Sequence, residues 1–101
     1  MLESAPMTGD RRTVHVRIEG DVHGVGYRAW THGVATGLGL DGWVRNRFDG
    51  SVEAVFQGPT EKVGDMLARC ESGPAAAGVT RVVVTDEGAG AFQGFVVRAT
   101  A

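Results

Sequence analysis

The 101-residue sequence predicts an α+β fold in which two helices cover one face of an antiparallel sheet. Three observations predict it. Apolar and polar residues alternate over Thr13–Glu19 and Ser51–Gln57, the period of strands with one buried face. Apolar residues recur at helical spacing over Tyr27–Leu38 and after Gly58-Pro59. The order that results is βαββαβ with a short extra strand at the end, an α/β sandwich of the ferredoxin-like kind.

Each element follows from local chemistry. Met1–Arg12 holds Pro6, Gly9 and charged residues without periodicity, which predicts a flexible tail before a domain spanning 13–101. In Thr13–Glu19, Val14, Val16 and Ile18 face inward, and His15, Arg17 and Glu19 face outward, with His15 expected in solvent. Tyr27, Trp30, Val34 and Leu38 form one helical stripe, and Gly39 is placed to cap the helix end. His32 is expected on the surface. Asp41–Phe48 is a strand, and Asp49-Gly50 signals a tight hairpin into Ser51–Gln57, where Val52, Ala54 and Phe56 share a face. Pro59 suits the first position of the next helix, in which Val63, Met66, Leu67 and Cys70 fall at i, i+3, i+4 and i+7. Ser72-Gly73-Pro74 stops that helix. Gly78–Glu87 is a Val-rich strand, Gly88–Gly90 a loop, and Gln93–Ala99 a short last strand.

Composition narrows the function. With 43% hydrophobic residues the chain makes one core. A formal net charge of −2 gives no general basic field for nucleic acid. The single cysteine, Cys70, excludes an internal disulfide, suits a reducing compartment, and falls on an apolar helix face as a buried thiol rather than a nucleophile. No stretch reads as a membrane span or a signal peptide, so a cytoplasmic, soluble protein is expected. No His, Cys and carboxylate cluster has metal-ligand spacing and no Ser, His and Asp set is evident, so neither metal nor cofactor is expected.

The segment Gly20–Arg28 reads Gly-Asp-Val-His-Gly-Val-Gly-Tyr-Arg and joins a strand to a helix. Glycines at 20, 24 and 26 allow positive φ and can turn successive N–H groups into a concave nest for an anion. The helix start adds unpaired N–H groups and the positive end of its dipole. Arg28, in the first helical turn, leans back over the loop and can hold two phosphoryl oxygens in its planar fork. A tight turn followed by a solvated arginine would explain the same residues. The loop matches neither the P-loop nor the dinucleotide-binding fingerprint.

Asp41–Asn46 reads Asp-Gly-Trp-Val-Arg-Asn. Alternation places Asn46 with Val44 and Phe48 on the inward face, where its amide could accept from a water and donate to a phosphoryl oxygen. The plainer alternative is an Asn bonded to local backbone near the turn.

Together, Gly20–Arg28 and Gly42-Trp-Val-Arg-Asn46 resemble the acylphosphatase family. The likeness runs from about Thr13 to Ala101 and includes Gly39-Leu40-Asp41, Asp49-Gly50-Ser51-Val52-Glu53 and Gly58-Pro59. It implies the ferredoxin-like fold and hydrolysis of a small-molecule acyl phosphate to a carboxylate and inorganic phosphate. It also implies that Arg28 binds the phosphoryl group and Asn46 orients the attacking water, both as catalytic residues. The phosphate-binding loop would be Asp21, Val22, His23, Gly24, Val25, Gly26 and Tyr27, with Tyr27 also packing in the core. The family usually has Gln at the position of His23 and often a basic residue at that of Asp21. Because it uses this loop mainly through backbone N–H groups, these departures imply reduced affinity at most. An imidazole titrates at about 6.5, so a His23 ring facing the phosphate would make binding pH-dependent, and a ring pointing to solvent would not.

Two readings compete with the enzyme. An RNA-recognition module shares the element order but needs aromatics on its central strands, and His15, Arg17 and Glu19 supply none. A non-catalytic phosphate-binding or regulatory module of the same fold is favoured only by Asp21 and His23. A monomer without membrane or nucleic-acid partners is expected.

Overall fold

A computed structural model describes residues 10–88 and 90–101. The chain runs through β1 (Arg11–Asp21), α1 (Tyr27–Gly37), β2 (Asp41–Asn46), β3 (Val52–Pro59), α2 (Thr60–Cys70), β4 (Gly78–Glu87) and β5 (Phe95–Val97). The strands lie in the order β4-β1-β3-β2-β5. The first four form an antiparallel sheet, and β5 adds to β2 in parallel, with Val44 opposite Val97. This is the predicted ferredoxin-like sandwich with a mixed edge.

One face of the sheet is dry because the predicted alternation holds. Val14, Val16 and Ile18 of β1, Val44 of β2, and Val52, Ala54 and Phe56 of β3 are fully buried. Helix α2 covers β1 and β3 with Val63, Met66 and Cys70, and α1 covers β2 and β5. In α1 the deepest residues are Tyr27, Thr31 and Ala35, while Trp30, Val34 and Leu38 of the predicted stripe flank them. The Thr31 hydroxyl is satisfied by donating to the Tyr27 carbonyl at 2.8 Å. Gly39 ends the helix as predicted: its N–H donates to the Thr36 carbonyl at 3.0 Å and that of Leu40 to Ala35 at 2.9 Å.

Several expectations are corrected. Of the predicted tail, residues 1–9 lie outside the described residues, but Arg11 and Arg12 belong to β1, paired with Pro59 and Gly58. Arg12 anchors this extension by donating to both carboxylate oxygens of Glu87, at 3.1 and 2.8 Å. Ala89, in the predicted Gly88–Gly90 loop, is likewise outside the described residues. Strand β2 stops at Asn46 because the chain turns at Arg47–Gly50, where the Gly50 N–H donates to the Arg47 carbonyl at 3.1 Å. Phe48, expected inward by alternation, is therefore off the sheet and 84% exposed. Pro59 caps α2 with an extended ψ of 136° rather than opening it.

His15 is not free in solvent. On the uncovered sheet face its ring pairs with the Glu53 carboxylate and meets Trp43 edge-on, with centroids 5.9 Å apart. Trp43 also lies beneath the guanidinium groups of Arg45 and Arg98, at 4.9 and 4.6 Å. Gly42, just before it, is required by close approach: with φ at 133°, any Cβ there would overlap the Val55 carbonyl of β3.

Candidate active site

Strand β1 delivers the chain to the loop, and α1 leaves it. Gly24 and Gly26 both have positive φ, 70° and 79°, and Gly26 is the N-cap of α1 in the left-handed conformation. A glycine N-cap brings no side-chain acceptor. The first backbone bond of the helix is from the Trp30 N–H to the Gly26 carbonyl at 3.0 Å. Among the described residues, the N–H groups from Val22 to Ala29 have no backbone or side-chain acceptor. A helix start left uncapped in this way suits an anion.

The loop opens on a cleft of about 360 Å³ lined by Val22, Gly24, Gly26, Tyr27, Arg28, Ala29, Asn46 and Val97. Arg28 and Asn46, distant in sequence, therefore share one cavity. Both are half-buried. Neither side chain has a hydrogen-bond or ion-pair partner among the described residues. Every other described arginine is committed: Arg11 to Asp41, Arg12 to Glu87, Arg17 to Asp49, Arg45 and Arg47 to Glu53, Arg69 to Asp65, Arg81 to Glu19, and Arg98 to the Trp43 ring. The Asn46 amide does not bond the local backbone. Its own carbonyl instead accepts the Ala101 N–H at 3.1 Å.

Three predicted loop residues do not line the cleft. Asp21 is the last residue of β1, pairs with Gly78 of β4, and lays its carboxylate against that glycine. It thus lies toward the opposite edge of the sheet from Asn46 and Val97. Val25 packs against the core. The His23 ring takes neither of the two expected orientations: its Nε2 donates to the Ser51 carbonyl at 2.7 Å. That carbonyl also accepts the Arg47 N–H at 2.9 Å, so His23 ties the loop to the hairpin that follows Asn46.

Tyr27 holds the loop from the other side. Its hydroxyl donates to the Cys70 carbonyl at 2.7 Å, and burial pushes the phenol well above its usual range. Burial also pushes the Cys70 thiol up to about 12, which leaves it inert as a nucleophile. Among the described residues, no group of three His, Cys, Asp or Glu is placed to hold a metal ion.

Ala29 and Val97 are cleft residues that the sequence reading missed. Ala29 follows Arg28 in the first turn of α1, a signal available in the sequence. Val97 arrives through the parallel pairing of β5 with β2, for which no local signal exists.

The fold and cleft define an α/β sandwich with a strand-to-helix anion cradle, an uncommitted arginine and an uncommitted amide. The acylphosphatase family model matches residues 14–97. The acylphosphatase of Rhizorhabdus wittichii is 48% identical over 91 residues, covering 90% of this chain and 92% of that protein. That of Rhodospirillum rubrum is 52% identical over 84 residues, covering 83% and 92%. The structure of an acylphosphatase from Coxiella burnetii superposes with a TM-score of 0.85 at 30% identity, covering 90% of this chain and 96% of that one. The chain belongs to the acylphosphatase family.

Proposed function

We propose that the cleft hydrolyses acyl phosphates to a carboxylate and inorganic phosphate by direct attack of water on phosphorus. The observation that carries this reading is the meeting of two polar side chains, Arg28 and Asn46, beside loop N–H groups, all without partners among the described residues. An acyl phosphate needs little more. Its leaving group is a carboxylate, a weak base that departs without a strong general acid. Phosphoryl transfer passes through a loose transition state, so catalysis is mostly positioning and charge stabilisation. The N–H groups of the Gly24–Ala29 segment and the Arg28 guanidinium stabilise the charge. The Asn46 side-chain amide oxygen, Oδ1, accepts from the attacking water and its NH2 donates to a phosphoryl oxygen. No step requires a metal or an organic cofactor.

The rival non-catalytic module loses its two supports: Asp21 is turned to β4 and His23 to the hairpin. Incubation with benzoyl phosphate tests the reading. Enzymatic loss of the acyl phosphate anhydride bond is expected, and binding without turnover would favour the module. We also propose that the protein works as a cytoplasmic monomer on a small-molecule substrate, without nucleic acid. No described helix is long and apolar enough to cross a membrane, and the one thiol is free and buried.

The tie made by His23 predicts the effect of its replacement. Nε2 carries a proton in the Nε2–H tautomer and in the imidazolium, so the bond survives protonation. His23→Gln, which can present an amide N–H to Ser51, should keep kcat/KM within about twofold, whereas His23→Ala should lose about fivefold, the net worth of one hydrogen bond. Steady-state kinetics on benzoyl phosphate decide it. A His23→Ala protein equal to the native one would show that the tie does not matter.

A further inference from the structure

Asn46 is flanked in sequence by two arginines, and one carboxylate holds both. On the face of the sheet away from the cleft, Glu53 Oε1 accepts from Arg45 Nε at 2.8 Å and from Arg47 Nη1 at 2.9 Å. Its other oxygen pairs with the His15 ring of β1. Glu53 faces Arg45 directly across the β2–β3 pair, and Asn46 faces Val52. The Glu53 side chain is 13% exposed.

Burial alone would raise this carboxyl, but the hydrogen bonds from Arg45, Arg47 and His15 outweigh it and hold Glu53 down to about 2. The carboxylate is therefore charged across the neutral range, and removing it would leave two guanidinium groups side by side without an acceptor.

We infer that Glu53 is a positioning residue for Asn46: by gripping the side chains on either side of it, Glu53 fixes the backbone from which the Asn46 amide enters the cleft. This grip adds to backbone bonds just beyond Asn46, where the Arg47 N–H donates to the Ser51 carbonyl at 2.9 Å and the Phe48 N–H to the Ala101 carbonyl at 3.1 Å. β2 ends at Asn46, opposite Val52, and the chain then turns at Arg47–Gly50. On the outer edge the Asn46 backbone carbonyl accepts the Ala101 N–H at 3.1 Å. Without Glu53, two unneutralised guanidinium groups would repel each other on either side of Asn46 and shift the strand end that carries its amide, and orientation of the nucleophile sets the rate more than it sets substrate binding. Glu53 does not line the cleft and acts only through Asn46.

The inference rests on the proposed role of Asn46, and the test separates the two. kcat, KM and inhibition by inorganic phosphate are measured on benzoyl phosphate for the native protein, Glu53→Ala, Asn46→Ala and the double variant. With Asn46 present, Glu53→Ala should lower kcat on the order of tenfold, the effect of a small misplacement of a positioning group. Phosphate inhibition should stay within about twofold, since the loop and Arg28 are untouched. With Asn46 already replaced, Glu53→Ala should cost nothing further in kcat. Multiplying losses in the double variant, or a change confined to KM, would overturn the inference and leave Glu53 a purely structural residue. A harmless Asn46→Ala would instead overturn the role of Asn46 itself. Should Glu53→Ala not fold, Glu53→Gln is read by the same cycle: it keeps an acceptor but loses the charge, and a smaller loss of kcat, absent without Asn46, is expected.

Discussion

Arg28→Ala is expected to remove nearly all hydrolysis of an acyl phosphate while the protein stays folded. The loss should be on the order of 10³–10⁵ in kcat, the range for an arginine that stabilises a phosphoryl transition state. Folding should survive because the guanidinium makes no hydrogen bond or ion pair within the described protein, so its removal leaves no buried partner unsatisfied. Arg28→Lys should fail badly as well: an ammonium restores the charge but not the planar fork that meets two oxygens at once. The measurement is steady-state turnover of benzoyl phosphate alongside a thermal melt. A folded Arg28→Ala protein turning over near the native rate would remove the arginine from the mechanism.

Asn46→Ala is expected to act on a different parameter. Its proposed task is to hold the water, which contributes to the transition state and little to ground-state binding. kcat should fall on the order of 10²–10³, as for removal of one positioned polar group. Inhibition by inorganic phosphate should barely change, because the loop N–H groups and Arg28 remain. Weaker phosphate binding with kcat intact would make Asn46 a ligand contact rather than a holder of water.

The contrast between these variants reflects how the site is assembled, and how far it could be read beforehand. The core was legible because only one face of the sheet is covered by helices. That asymmetry writes period two into Val14, Val16 and Ile18 and into Val52, Ala54 and Phe56. The i, i+3, i+4, i+7 set of α2 was legible for the matching reason, and the glycines of the loop because positive φ has few other tenants. Arg28 and Asn46 were legible as candidates from their places beside a glycine nest and at a strand end. That both lack partners among the described residues was not. It depends on which carboxylates the fold brings near each guanidinium, and those pairings join residues far apart in sequence, as Arg12 with Glu87 shows.

Where alternation was extended past the sheet it failed. Phe48 has the parity of Val44 and Asn46 but sits beyond the point where the ladder ends, so its parity carries no side. His23 and Asp21 failed for a related reason. A loop side chain is directed by whatever neighbouring strand offers a partner, here the Ser51 carbonyl and the Gly78 edge, and neither is local. Val97 came through a parallel pairing between segments some fifty residues apart, which local periodicity does not encode. The family pattern singled out Arg28 and Asn46, which share one cleft, but not the cross-strand ties around them.

The central claim is that water, oriented by Asn46, attacks phosphorus rather than the carbonyl carbon. Hydrolysis of benzoyl phosphate by the native protein in isotopically labelled water, followed by mass spectrometry of both products after brief turnover, tests it most directly. One labelled oxygen in the inorganic phosphate and none in the benzoate is the predicted result. Label in the benzoate would contradict the account.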